Sequence, residues 1–440
     1  MILIFFNRAF RFLLAAIIFL VPVHMAYIFS FDPESSQYTR IAYTLLDLFL
    51  FIALIASVPL SAKKQIQCVL PRYILMPLFF AMLFAGVSIF FAVHADVALL
   101  FLLHTVQGAA LFLIFSSGML SKKTIARVFV LAGAVQALWG IQQIITQEIF
   151  AYSWLGIAAH SAATLGDSVV EGSGFRILRA YGSFPHPNML AAFLGMSFFC
   201  GLYLYRAAMT RAGRLACLFA SMCILWGFLL TFSRGAWLAL FLSVCVSGFF
   251  GIFRKNESGT FSVPLRFFIA SAILVSIFTI LYWQPVSVRL GLQGSVRLEE
   301  RSIDERSSYI RDASAIIRAH PLGIGIGQYT PFRMDRDTER DIYLPAYSYQ
   351  PVHSYFILIL AELGVFGLLF FLLFFSSVVL HIIKFGNYIA IAGVLFLFFV
   401  SFFDHYFWTV QSGVLLWWIW LGFLLGEQRT LLLTKSNELC

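Results

Sequence analysis

The sequence predicts an all-α polytopic membrane protein of about twelve transmembrane helices, with one long external loop that carries an amphipathic helix. Three observations predict it. Of 440 residues, 61% are hydrophobic and only 12% are charged, whereas a soluble globular chain is roughly 45–50% apolar and about 25% charged. Apolar runs long enough to cross about 30 Å of hydrocarbon as a helix recur along the whole chain. Lysine and arginine gather in alternate loops, as the orientation rule for short cytoplasmic loops requires.

The spans are expected near 12–30, 41–60, 73–92, 97–119, 125–146, 188–205, 215–232, 236–253, 266–284, 353–383, 387–404 and 409–426. They form a single transmembrane domain, 1–440. The first is read as a retained span, because no small-residue cleavage site stands clearly after it. An even number of spans returns the C-terminus to the side of the N-terminus.

That side is fixed by charge. One alternating set of loops holds Arg8, Arg11, Lys63, Lys64, Arg72, Lys122, Lys123, Arg127, Arg206, Arg211, Arg214, Arg254, Lys255, Arg266, Lys384, Arg429 and Lys435, which is 17 of the 30 basic residues. The short loops of the other set hold Arg40, Arg176, Arg179 and Arg234. Both termini are therefore expected in the cytoplasm. Topology accounts for the net charge of +9, which is not read as a nucleic-acid footprint. Cys200, Cys217, Cys223 and Cys245 fall inside spans, while Cys68 and Cys440 fall on the cytoplasmic side, so no disulfide framework or metal-ligand spacing is implied. No fixed-period repeat and no phosphate-cradling glycine loop is present.

Two external segments exceed a turn, 147–187 and 285–352, and these are where a membrane chain displays chemistry. The second holds nine arginines and nine acidic residues. Within it, EERSIDERSSYIRDASAIIRAHPLGIGIGQY sets Ile303, Ile310, Ala313 and Ile317 on one helical stripe that ends at a proline and three glycines. An amphipathic helix at the membrane surface is the plain reading. Arg306 falls on the apolar side of that helix, where it either pairs with an acidic residue of the loop, snorkels to the interface, or clamps a phosphate.

Arg234 raises the same question in WGFLLTFSRGAWLALFLSVCV, where Ser233, Arg234 and Gly235 turn a hairpin between two apolar spans. A charge at bilayer depth is unfavourable by about 2.5–3.5 kcal/mol and usually faces a protein cavity. At a hairpin tip it can also reach headgroups. In FRILRAYGSFPHPNMLAAFLG, Arg176 and Arg179 precede Gly182, and Pro187 with Asn188 opens the next span. His186 beside them reads as a loop or capping residue. Three arginine sites on one side suggest a pocket for a polyanion. Guanidinium groups offer paired donors and a permanent charge, so they neutralise a pyrophosphate without a metal.

His353 opens its span just after Pro351, on the same side. It suits proton abstraction from an attacking hydroxyl, although a lone histidine there also serves as a cap. Glu362 lies nine residues on, about 900° around a regular helix, and is read as a buried packing and hydrogen-bonding anchor, with Gly364 and Gly367 allowing close approach. Asp47, His104, Asp404 and His405 are the other polar groups within or at the edge of spans. Asp404 and His405 are left between a cavity role and helix-end capping.

Four blocks, RAYGSFPHPNMLA (179–191), FSRGAW (232–237), ERSSYIRDASAIIRAHPLGIGIGQY (305–329) and HSYFILILAELGVFG (353–367), together resemble the O-antigen ligase and polymerase superfamily. These are integral membrane glycosyltransferases that use undecaprenyl-diphosphate-linked glycans on the outer side of the bacterial inner membrane. The resemblance spans most of the chain from about residue 125 onward. It implies a GT-C-like fold, a periplasmic active site and metal-independent inverting transfer without a cofactor. His353 would be the base, and Arg179, Arg234 and Arg306, with Arg176 and Arg311, would bind the diphosphate. Asn188, Ser354 and Glu362 would support them. The chain departs from the family where Ser354 follows the histidine in place of asparagine, and where Tyr309 or Ile310 stands for a common tryptophan. The implied donor is an undecaprenyl-diphosphate-linked glycan, and the acceptor is lipid A-core for a ligase or another lipid-linked glycan for a polymerase. A branch that glycosylates protein fits less well. A polyisoprenoid-linked glycan transporter would also line a cavity with arginines, but those would extend toward the cytoplasmic half, with repeated broken helices.

Overall fold

In the computed structural model the chain is helical nearly throughout, and residues 2–28, 38, 41–62, 70–253, 264–292, 297–385 and 387–426 are described. Sixteen helices are described: α1 Ile2–Leu20, α2 Leu45–Ala62, α3 Arg72–Val87, α4 Ala95–Ser116, α5 Lys122–Thr146, α6 Pro187–Ala207, α7 Arg211–Leu230, α8 Arg234–Phe253, α9 Leu265–Leu281, α10 Trp283–Arg289, α11 Arg297–Ala319, α12 Tyr329–Thr338, α13 Tyr355–Phe385, α14 Tyr388–Phe403, α15 Tyr406–Thr409 and α16 Gln411–Leu425. Short antiparallel pairs join β1 Ala26–Ile28 to β2 Ala42–Thr44, β3 Glu148–Ile149 to β4 His160–Ser161, and β5 Val169–Gly172 to β6 Phe175–Leu178.

Each predicted span contains a helix, but the described residues do not confirm twelve crossings. Among the described residues, six helices are long and apolar enough to cross, or seven if α9 and α10, bent by 95° at Tyr282, count as one. Four further apolar helices are shorter. Two predicted boundaries move. The first span, expected at 12–30, is a helix over Ile2–Leu20 that stops before Pro22, and Ala26–Ile28 is a strand. The second begins at Leu45 instead of 41, because 42–44 pairs with that strand. Seven of the basic residues used to orient the chain, Arg40, Lys63, Lys64, Arg254, Lys255, Arg429 and Lys435, lie outside the described residues, as do Cys68 and Cys440.

The chain divides into two compact units, 1–25 with 120–301 and 385–400, and 26–119 with 302–384 and 401–440. In the first, α6 is buried on almost every face, as a central helix hydrophobic all round must be. Small residues let its neighbours approach, since a Cβ at Gly201 would meet Ser221 of α7 and one at Gly227 would meet Ala137 of α5. In the second, α4 lies along α16, with Gly108 beneath Trp418 and Gly422 against Phe112. An aromatic cluster of Tyr355, Phe371, Phe374, Trp408, Trp417 and Trp418 fills the space beside them.

Helix α13 is broken at Gly364, whose φ of 70° and ψ of −171° no helix tolerates. A break in an apolar helix frees backbone groups that lipid cannot satisfy. Here the glycine-rich segment after α11 satisfies them. Ile324 N–H donates to the Ala361 carbonyl at 3.2 Å, Gly325 N–H to the Glu362 carbonyl at 2.9 Å, and Val365 N–H to the Pro321 carbonyl at 3.0 Å. Gly364 stands against the backbone of Leu322 and Gly323, so a side chain there would strike main chain.

Candidate active site

The loop 179–186 of the first unit is held from below by two buried glutamines of α5. Gln143 Oε1 accepts from Tyr181 N–H at 3.0 Å and Gly182 N–H at 2.9 Å, while its amide donates to the Gly182 carbonyl at 2.7 Å. Gln136 Oε1 accepts from Ser183 N–H at 2.8 Å. Gly182, at φ 57°, takes the left-handed turn this requires. His186 caps α6, its Nδ1 accepting from Asn188 N–H at 3.1 Å.

This scaffold fixes Arg179. The side chain is buried, its Nε donating to the Thr231 carbonyl at 2.6 Å and its terminal nitrogen to Asn188 Oδ1 at 2.7 Å. Thr231 opens the turn that leads to Arg234, so the block 179–191 is hydrogen-bonded to the residue just before the block 232–237. That turn is Thr231–Ser233, two residues earlier than the hairpin expected at 233–235, and Arg234 is already the first residue of α8. Phe232 pays for the sharp reversal with φ 47°, a conformation that strains a bulky residue. A half-buried arginine at a helix N-terminus adds its charge to the positive end of the macrodipole, which repels it and attracts an anion.

Arg176 lies in β6 and is engaged otherwise. It pairs with Glu171 at 3.0 Å and donates to the carbonyls of Ala162 and Thr164, tying the strand pairs of 147–187 together.

The second unit holds Arg306, Arg311, His353, Ser354 and Glu362. Helix α11 is amphipathic, but its buried face differs from the predicted stripe. Ala313 and Ile316 are buried while Ile310 is 48% exposed. At 3.6 residues per turn the stripe that continues from Ala313 and Ile316 passes through Tyr309 and Arg306, so Arg306 faces the protein, half-buried. No ion-pair partner for Arg306 occurs among the described residues. Arg311 is exposed, and the side chain of Ile303 lies outside the described residues.

Tyr309 brings this helix to the histidine, with ring centroids of Tyr309 and His353 5.8 Å apart. His353 precedes Ser354, which is buried and whose carbonyl accepts from Leu358 N–H at 3.0 Å in the first turn of α13. On its other side stand Asp404 and His405, in the break between α14 and α15. His353 Nδ1 is 3.5 Å from Asp404 Oδ1, and His405 Nε2 is 3.9 Å from the same oxygen. The Nδ1 of His353 is sealed from solvent and forms no hydrogen bond. His405 is fixed through its Nδ1, 2.8 Å from Thr409 Oγ1, and through its N–H to Asp404 Oδ1 at 2.9 Å. Burial pushes His405 down to about 3, with Asp404 opposing and His353 reinforcing that shift.

Two further residues set this geometry. Glu362 accepts Gly327 N–H and Trp408 Nε1–H on one oxygen, both at 2.7 Å, and Tyr329 N–H on the other at 3.1 Å. One carboxylate thus ties α13 to the start of α12 and to α15. Arg333 of α12, singled out by nothing in the sequence, is buried and bonds Asp312 of α11 at 2.7 Å and the Gln350 carbonyl at 3.0 Å. Its guanidinium also lies 5.6 Å from the Tyr309 ring centroid. It binds the helix bearing Arg306 to the strand of chain that ends at His353. Burial raises the Tyr329 phenol above its ordinary range, with Arg333 opposing, so its hydroxyl stays a donor, to the Tyr309 carbonyl at 3.2 Å.

The apolar helices define a multi-pass membrane protein. Residues 219–372 match the family model described as O-antigen ligase. That match supports a place in the O-antigen ligase and polymerase superfamily, which acts on lipid-linked glycans. The matched residues include Arg234, Arg306, Arg311, His353, Ser354 and Glu362, and exclude Arg176, Arg179 and Asn188. No curated protein matches the chain.

Proposed function

We propose that the chain is an inverting, metal-independent glycosyltransferase of the bacterial inner membrane that transfers a glycan from undecaprenyl diphosphate to a hydroxyl of lipid A-core on the periplasmic side. The observation that carries this reading is the family match over residues that include Arg234, Arg306 and His353. Arg179, Arg234 and Arg306 hold the donor diphosphate and neutralise the charge that develops as it departs. Arg176, already engaged with Glu171, and the exposed Arg311 act at the margin of that interaction.

The acceptor hydroxyl passes its proton to His353 Nε2 as its oxygen attacks the anomeric carbon and the bond to the diphosphate oxygen breaks. For that nitrogen to accept, the resident proton must sit on Nδ1, and the Asp404 carboxylate 3.5 Å away favours that tautomer. A diphosphate is stable as an anion, so the leaving group needs little acid assistance. Ser354 takes the position after the base, and Glu362 and Asn188 hold the surrounding backbone and Arg179 in place.

Purified protein given a lipid-diphosphate-linked glycan with lipid A-core, and in a second reaction without it, tests the assignment. Product only with the core supports the ligase. A ladder of longer lipid-linked chains without the core would make the protein a repeat polymerase, and no transfer in either reaction would sink the enzymatic reading.

A further inference from the structure

The orphaned nitrogen of His353 has a second use. Its Nδ1, a carboxylate oxygen of Asp404 and the Nε2 of His405 all lie within 4.8 Å of one another. Two of the three separations, 3.5 and 3.9 Å, approach the roughly 3.3 Å expected between neighbouring ligands of a tetrahedral metal with bonds of about 2.0–2.2 Å. Two imidazoles and one carboxylate are a donor set that suits zinc, and three protein ligands leave its fourth position open. Second, the ligands are oriented from behind. The Nδ1 of His405 is engaged by Thr409, which leaves its Nε2 as the coordinating atom, and a backbone N–H fixes Asp404. Third, a buried imidazole nitrogen without a hydrogen bond loses free energy that a coordinated cation restores.

We propose that His353, Asp404 and His405 form a binding site for a single divalent cation of the zinc class, and that its occupancy arrests transfer. The second half rests on the assignment of His353 as the base. A metal on Nδ1 takes that nitrogen's lone pair, and the neutral ring then carries its proton on Nε2, where it cannot accept another from the acceptor. The same three residues therefore serve either proton transfer or metal binding. The ion is an inhibitor by this account, which agrees with a transfer reaction that needs no metal.

Binding is measured on the purified full-length protein in detergent, by titrating cobalt(II) and following the visible absorption of the bound ion, then displacing it with zinc. The expected result is one ion per chain, with affinity reduced roughly tenfold or more in His405→Gln and by a smaller factor in Thr409→Ala, where only the support behind His405 is removed. The elution profile in size-exclusion chromatography checks that both variants fold. Absence of binding in the wild type, or equal affinity in wild type and His405→Gln, overturns the site. Transfer is then assayed with zinc at saturation. Loss that a chelator reverses supports arrest. Full activity with the ion bound overturns the arrest and also the base assignment, while leaving the measured site in place.

Discussion

The arginines of the first unit and the histidine of the second are prepared in opposite ways. Arg179 is fixed by its hydrogen bonds to Thr231 and Asn188, and the loop that carries it is held by two glutamines. His353 keeps a buried nitrogen out of any hydrogen bond, beside a carboxylate too far for a normal one. The contrast follows from the chemistry proposed for each. A cation that stabilises a leaving diphosphate acts best when it needs no reorganisation, whereas the proposed base must keep its proton on Nδ1 and leave Nε2 to accept another.

The largest effect should come from the proposed base. His353→Ala should lower transfer by at least about 10²–10⁴-fold, the usual contribution of a positioned general base, while the protein remains abundant in membranes. A glycan blot showing normal product would remove His353 from the mechanism and with it the contrast between the two regions.

The arginines come next, and they should differ from each other. Arg234→Ala should raise the KM for a lipid-diphosphate donor by roughly 10- to 100-fold, since hydrogen bonds to charged groups contribute about 1.5–3 kcal/mol. Arg179→Ala should do the same and also destabilise the fold, because it strips a buried carbonyl and Asn188 Oδ1 of their donor. Asn188→Ala separates the two effects. It should loosen Arg179 without removing its charge, giving a smaller rise in KM. Donor dependence unchanged in all three variants would show that the clamp lies elsewhere.

Glu362→Gln tests the support beneath the histidine. The carboxylate receives three donors, and an amide offers one acceptor oxygen and places a competing N–H2 against N–H groups. A loss of about 1–3 kcal/mol is expected, read as a lower midpoint of thermal unfolding in detergent. An unchanged midpoint would mean that the break in α13 is held by the backbone bonds to 321–325 alone.

The helices were legible because an apolar run of spanning length has few other fates in a membrane. Their ends were less so. Hydropathy placed the first span at 12–30, since Asn7, Arg8 and Arg11 lower the average near the N-terminus, yet helix formation is indifferent to those residues and heeds Pro22. The bend at Tyr282 left no mark in composition. Arg234 stood out because the short external loops hold few basic residues, and His353 because it opens a span on that same expected side. Arg333 did not, being one of nine arginines in its segment, and its role exists only once Asp312 and Gln350 are brought to it. Gln136 and Gln143 were hidden for a related reason: a glutamine in an apolar run signals a partner but not which one. The Asp404–His405 pair was visible, and its significance depended on which side chain would stand opposite.

The smallest expected effect is none. If guanidinium charge alone balances the departing diphosphate, a chelator applied to purified protein should leave the rate of transfer unchanged, or raise it slightly where trace zinc had occupied His353, Asp404 and His405. The comparison between the two regions depends on that result. Activity lost to the chelator and recovered with a divalent cation would assign the neutralising charge to a metal, and the arginines would then position the donor without stabilising its departure. The histidine cluster would become a candidate for the required metal's ligands, and the unsatisfied Nδ1 of His353 would point to coordination in the working enzyme instead of proton transfer. The sign of the chelator's effect therefore decides whether the nitrogen left out of hydrogen bonding belongs to a base or to a ligand.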